Sequence, residues 1–195
     1  GETVSVGLAV HDRDTPASEI TYECHHRSGP ADEADTIIAA LERVDELGAD
    51  ALVSYNGGDF DMGFLRDRLE ILGHDPVAPA LADPQTHIDV FADRKAVCDR
   101  TGEKWPKLED CLATYSYPEP TTVWQGEPVT NTRFGEELGP AYLAAVADGD
   151  RERQARLTEV IEHYLTTDLE ANLALYYADI GVGFEPARLG ERKEF

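Results

Sequence analysis

The chain has 195 residues, which suits one α/β domain holding a sheet and several helices. No run approaches the ~20 apolar residues needed to span a bilayer, and no charged-then-apolar leader opens the chain, so it reads as soluble with no membrane partner. Thirty-nine acids against seventeen bases give a net charge of −22, and four of the bases are lysine: Lys95, Lys104, Lys107 and Lys193.

The acids are spread along the whole chain, which speaks against an acidic disordered appendage. Low lysine and abundant carboxylates indicate a salt-rich cytoplasm, such as that of a halophilic archaeon or its virus. Cys24, Cys98 and Cys111 lack zinc-like or CxxC spacing, in keeping with a reduced cytoplasmic compartment. A charge of −22 would ordinarily exclude a nucleic-acid partner, because phosphate binding needs a basic footprint. At molar salt, however, the Debye length falls to about 3 Å, and local contacts then decide.

Thr3–Val10 (TVSVGLAV) alternates as a strand, and Glu19–Cys24 (EITYEC) reads as its hairpin partner across the turn-rich His11–Ser18. Asp32–Leu47 carries Ile37, Ile38, Leu41 and Val44 on one helical stripe, and Gly48 ends it. Ala51–Tyr55 is a short strand, Asn56–Phe60 a loop, and about Asp61 to Leu72 a helix stopped by Gly73. His74–Gln85 is a proline-rich loop, His87–Phe91 a strand, and Leu108–Tyr115 a short helix. Pro118–Arg133 reads as irregular, Phe134–Ala147 as helical, and Arg151 to Tyr177 as one long helix. This gives one domain over residues 1–180 and a surface tail over 181–195. Strands separated by helices predict an α/β fold with mixed pairing, since the first two strands form an antiparallel hairpin.

Two segments carry candidate chemistry. YNGGDFD (Tyr55–Asp61) joins a strand to a helix, and its glycines permit close backbone approach. Asp61 then sits at a helix N-terminus beside the C-terminal end of a strand, where open α/β sheets build their sites. Capping of that helix by Asp59 and Asp61 is the structural alternative. HYLTTD (His163–Asp168) lies in the long helix, whose apolar stripe runs through Leu157, Ile161, Tyr164, Leu165, Leu169 and Leu173. Asp168 falls within that stripe, which is costly for a carboxylate unless it is paired or bound to metal.

Together these segments resemble two of the three motifs of the DEDD 3′–5′ exonucleases of the ribonuclease-H-like superfamily, close to the proofreading domains of family-B DNA polymerases. N-x-x-x-F-D (Asn56, Phe60, Asp61) resembles the second motif, and Y-x-x-x-D (Tyr164, Asp168) the third. HIDVF and KLEDCLATYSYP (Lys107–Pro118) are similar to the family's connecting region. The resemblance implies a mixed sheet with helices packed on it, and hydrolysis of phosphodiester bonds at nucleic-acid 3′ ends with two Mg²⁺ or Mn²⁺ ions. It makes Asp61 and Asp168 metal ligands close enough to share a cluster, and has Tyr164 orient the attacking water. It places Asn56 and Phe60 against the terminal nucleotide. The implied partners are a single-stranded 3′ end and a polymerase or other replication or repair protein.

The family's first motif, D-x-E on the first and central strand, has no counterpart, because TVSVGLAV corresponds to the second strand. Either a preceding segment supplies it, which the intact second and third motifs favour, or the chain is a non-catalytic module binding nucleic acid or a protein.

HYLTTD also fits an H-x4-D variant of the third motif. On a continuous helix Tyr164 lies about 40° from Asp168 and His163 about 140° away, so Tyr164 takes the role. Cys24-His25-His26 puts neighbours on opposite strand faces, a poor zinc geometry. Trp105 and Trp124 read as satellite packing, and Arg66 and Arg68 as partners of Asp67 or Glu70. The composition yields its own test. Folding followed by circular dichroism should strengthen as potassium chloride rises, and full stability at low salt would contradict the high-salt reading.

Overall fold

β1 (Ser5–Val10) and β2 (Thr21–His26) pair antiparallel in the computed structural model, which describes all residues from Gly1 to Phe195. The partner strand starts two residues later than expected, because Ala17–Glu19 closes a 3-10 turn ahead of it. The strand faces alternate. Gly7 lies against Leu165 and Leu169 of α7 (Arg151–Asp179), while Val6 packs into the cluster beneath α1 (Glu33–Glu46).

β3 (Leu52–Ser54) leads into α2 (Asp61–Ile71), which returns through a loop to β4 (His87–Asp89), parallel to β3. Ile37 and Leu41 of α1 interlock with Leu65 and Leu69 of α2. Then come α3 (Ala92–Thr101), α4 (Leu108–Thr114), and a hairpin of β5 (Thr121–Trp124) and β6 (Glu127–Pro128). α5 (Asn131–Arg133) runs through a π-helical turn, Phe134–Leu138, into α6 (Gly139–Asp148) and so to α7. β7 (Arg192–Glu194) closes the chain parallel to β5.

The class is mixed α/β, but the strands form three small sheets rather than one: β1–β2, β3–β4 and β6–β5–β7. α7 ties the first two together, packing on β1, β2 and β3. Each of the two sheets keeps a strand edge open. The Val4 carbonyl accepts from Arg27 N–H, so the backbone groups of Ser5, Gly7 and Ala9 point away from β2. Leu52 and Ser54 bond toward β4, which turns the backbone of Val53 outward as well. Ala9 and Val53 nevertheless pack against one cluster, built on Ala171, Ala174 and Leu175 of α7.

Residues 92–101, for which the sequence predicts no element, form a helix closed by Gly102 at φ 73°. Two expectations are corrected. The irregular Pro118–Arg133 contains the β5–β6 hairpin, whose two-residue turn puts Gln125 and Gly126 at positive φ, 54° and 82°. The surface tail is part of the fold. Phe184 and Leu189 are buried with α7, and β7 extends the sheet of β5.

Glu170 anchors that tail. Its side chain is fully buried on α7 and accepts the amides of Ala187 (2.8 Å), Arg188 (2.7 Å) and Leu189. Three backbone donors compensate one carboxylate, which is how a buried charge survives. Glu170→Ala leaves all three unpaired and should cost on the order of 3 kcal/mol in urea unfolding. Glu170→Gln, which keeps an acceptor oxygen, should cost clearly less. An alanine variant as stable as the parent would show that the amides find other partners.

Candidate active site

The loop from Tyr55 to Phe60 leaves the C-terminal end of β3 and turns into α2 with Asn56 in the left-handed region, φ 61°. Asp89, at the end of β4, organises it. One oxygen accepts Asn56 N–H (2.7 Å) and Phe91 N–H (3.0 Å), and the other accepts Gly58 N–H (3.2 Å). A Cβ on Gly57 would stand 2.4 Å from Ser54 Oγ and 3.4 Å from Asp61 Oδ2, so that glycine is what lets the loop lie against both groups. Ser54 Oγ is bonded to His87 Nε2 at 2.7 Å. Beside them opens a cleft of about 180 Å³ floored by Met62, Pro76 and Val77 and rimmed by Arg66 and His87.

Asp61 opens α2 with no hydrogen-bond donor on its side chain. It keeps contact with solvent, yet the surrounding protein desolvates it, and that together with the charge of Asp89 raises its pKa to about 6. Phe60, just before it, is 65% exposed, its ring free for contact. On α7, Asp168 is pushed up to about 7, mainly by burial and then by the charge of Glu109 on α4. Tyr164 is the hydroxyl nearest to it, and its own pKa is raised by burial and by Asp168. A phenol has one proton to give, and here it goes to Asn131 Oδ1, while the ring stacks on Phe134 at 5.4 Å. Tyr164 is the one group that acts to lower the pKa of Asp168, and it does not offset burial and Glu109.

His163 leaves the helix toward β5, bonding Thr122 Oγ1 at 2.7 Å and meeting Phe195 edge-on. Burial holds its pKa below the ordinary value. Tyr164 and His163 thus serve different neighbours, as helix geometry requires.

The contrast with the other buried acids is informative. Burial alone would push Glu33 up. Two bonds from Arg68 (2.7 and 2.8 Å), the Thr3 amide and nearby Arg27 instead hold it below the usual carboxylate range. Arg68 is thereby engaged with Glu33, whereas Arg66 pairs with Asp67 as the sequence suggests. Glu170 has its three amides, and Asp89 has its own three. Asp61 and Asp168 are carboxylates in crowded surroundings that lack such compensation, and uncompensated carboxylates of this kind suit a divalent cation.

The structure gives each predicted ligand a separate acid partner. Asp61 feels Asp89 and Asp168 feels Glu109, and neither of the two is among the charges that perturb the other. No group of three or more His, Cys, Asp or Glu side chains stands arranged to hold a metal ion. Sequence reading did not single out Asp89 or Glu109, although both lie in the HIDVF and KLEDC segments. Comparisons with family models, curated proteins and solved structures return no match. No helix is long and apolar enough to cross a membrane.

The two raised carboxylates fix a pH dependence. Each holds its proton more tightly when folded than when unfolded, so stability falls with rising pH across the window from the ordinary 3.8 to about 7. The benefit of the protonated forms is complete below that window and gone above it. Asp168→Asn should flatten most of this slope in urea midpoints measured against pH, and Asp61→Asn the lower half. Variants with the parental slope would show that these groups titrate normally.

Proposed function

We propose that the chain acts as a DEDD-type 3′–5′ exonuclease of ribonuclease-H-like fold, hydrolysing phosphodiester bonds at the 3′ end of single-stranded nucleic acid. The observation that carries this reading is the pair of carboxylates with raised pKa, Asp61 and Asp168, in a fold that satisfies its buried acids Glu33 and Glu170 with donors. Asp61 and Asp168 would hold Mg²⁺ or Mn²⁺, with Asp89 and Glu109 adding negative charge nearby. Bound there, the ions would supply an attacking water of lowered pKa and neutralisation of the charge on the leaving oxygen. Tyr164 would orient that water through its hydroxyl. Phe60 offers its exposed ring to the terminal base, and Asn56 lies on the same loop.

The open edges of β1 and β3 support the same reading. Both lie over α7, and an extended strand bearing D-x-E would bond to each edge and bring two more acids toward Asp61 and Asp168. One observation favours a second reading, a non-catalytic module binding nucleic acid or a protein, namely that no three ligand-type side chains yet converge.

The two separate in one experiment. With a D-x-E strand supplied at the N-terminus, a 5′-labelled oligonucleotide should be trimmed from its 3′ end in Mn²⁺. Asp61→Ala and Asp168→Ala should each lower the rate by at least a hundredfold, on the order of the 2.7–4 kcal/mol typical of one lost electrostatic group. Tyr164→Phe should slow cleavage with little loss of binding, while His163→Ala should leave the rate nearly unchanged. Intact oligonucleotide with the unsubstituted strand-completed protein would refute the nuclease reading in favour of the non-catalytic one.

A further inference from the structure

Cationic side chains are scarce on this chain, and most of them are spent on acids. Arg27, Arg43, Arg66, Arg68, Arg94, Arg133, Arg156 and Arg192 all sit in ion pairs. Eight bases pair with no carboxylate, and three of them fall within one short stretch. Residues 94–107 hold five bases, Arg94, Lys95, Arg100, Lys104 and Lys107, against two acids, Asp99 and Glu103, in a chain of net charge −22. Arg100, Lys104 and Lys107 are exposed and pair with no carboxylate. In the middle stands Trp105, still 48% exposed. Unlike Trp124, which packs against a core cluster, it is held at its edges, with Nε1 donating to Asp99 (2.7 Å) and Phe91 edge-on at 5.9 Å.

This stretch is tied to the loop before Asp61 and leads into α4. The Tyr55 hydroxyl, at the start of the Asp61 loop, donates to the Pro106 carbonyl at 2.7 Å. Lys95 lies 4.9 Å over the Trp105 ring while its ammonium binds Asp59, two residues before Asp61. At the other end, Lys107 leads directly into α4, whose Glu109 acts on Asp168. The Trp105–Lys107 segment therefore lies between the loop before Asp61 and α4, with the half-exposed indole and the Lys107 ammonium along it.

We propose that Trp105, with Lys95, Lys104 and Lys107, forms a rim beside the acid site on which single-stranded nucleic acid lies, one base stacked on the indole and phosphates on the lysines. The inference rests on the nuclease reading for what lies beside the rim, but the binding it describes needs neither metal nor cleavage. Charge complementarity selects a polyanion, and the half-open indole selects one with planar rings over an acidic peptide. Lys95 is shared between Asp59 and the indole, so an incoming phosphate competes with Asp59 for it.

Titration with oligothymidylate in the absence of divalent ions tests this on the chain as it is. In a Trp124→Phe background the emission comes from Trp105 alone, and it should be quenched saturably. Trp105→Ala should weaken binding roughly tenfold or more, as expected for one lost stacking contact, while Trp105→Phe keeps most of the affinity. Lys104→Gln with Lys107→Gln should reduce the slope of log affinity against log salt by about 1.4. Oligonucleotide binding that survives Trp105→Ala, or no binding at all, overturns the rim. So does polyglutamate competing as well as the oligonucleotide. Trp105-dependent binding without metal-dependent trimming in the strand-completed protein would leave the rim standing and remove the nuclease reading.

Discussion

The packing of α7 across two separate sheets is the constraint on which the rest depends. A two-stranded sheet is marginal by itself, and here β1–β2 and β3–β4 share no hydrogen bond. They are held in register by one helix of 29 residues, about 44 Å long. Ala171 and Ala174 let strand side chains come close, and Leu165 and Leu169 fill the space beneath Gly7. Farther back, Leu157, Val160 and Ile161 seat α6 and the β5 hairpin. Because Tyr164, Asp168 and Glu170 are on this same helix, the element that organises the core also fixes half of the site and the return of the C-terminus.

Acidic residues do two kinds of work in the fold, and donors separate them. Glu33, Asp89 and Glu170 each receive two or more hydrogen bonds, and each ties distant segments together: α1 to α2, β4 to the Asn56 loop, α7 to residues 187–189. A carboxylate so satisfied is structural. Asp61 and Asp168 receive no such set, and the price is a raised pKa. Folded chains retain such groups where a ligand supplies the missing countercharge. In a protein of net charge −22 the mere presence of an acid says nothing, and Asp61 and Asp168 stand apart by their raised pKa.

Much of this was legible in the sequence because the long amphipathic elements announce themselves. α1 matches its apolar stripe, α2 and α7 match their expected spans, and Gly48 and Gly73 end the first two helices at positive φ. α3 was hidden, because among its ten residues Cys98 alone is buried and no stripe forms. The β5–β6 hairpin was hidden by its Gln-Gly turn, which lacks the familiar asparagine or aspartate. β7 is an exposed Arg-Lys-Glu strand that owes its existence to a parallel partner some seventy residues away. The difference between Asp168 and Glu170 was beyond reach for the same reason. Both are acids on one helix, and only the return of residues 187–189 satisfies one and not the other.

The open edges of β1 and β3 join folding to chemistry. Ser5, Gly7, Ala9 and Val53 leave backbone donors and acceptors to water, and β1 is half-buried along its whole length. On the proposed reading, a strand entering there would complete two ladders at once and shed that water. It would also seal one side of Asp61, which solvent still reaches, and so drive its pKa higher until a cation offset the charge. Pairing of the strand and binding of the metal would then favour each other, since each relieves what the other leaves uncompensated.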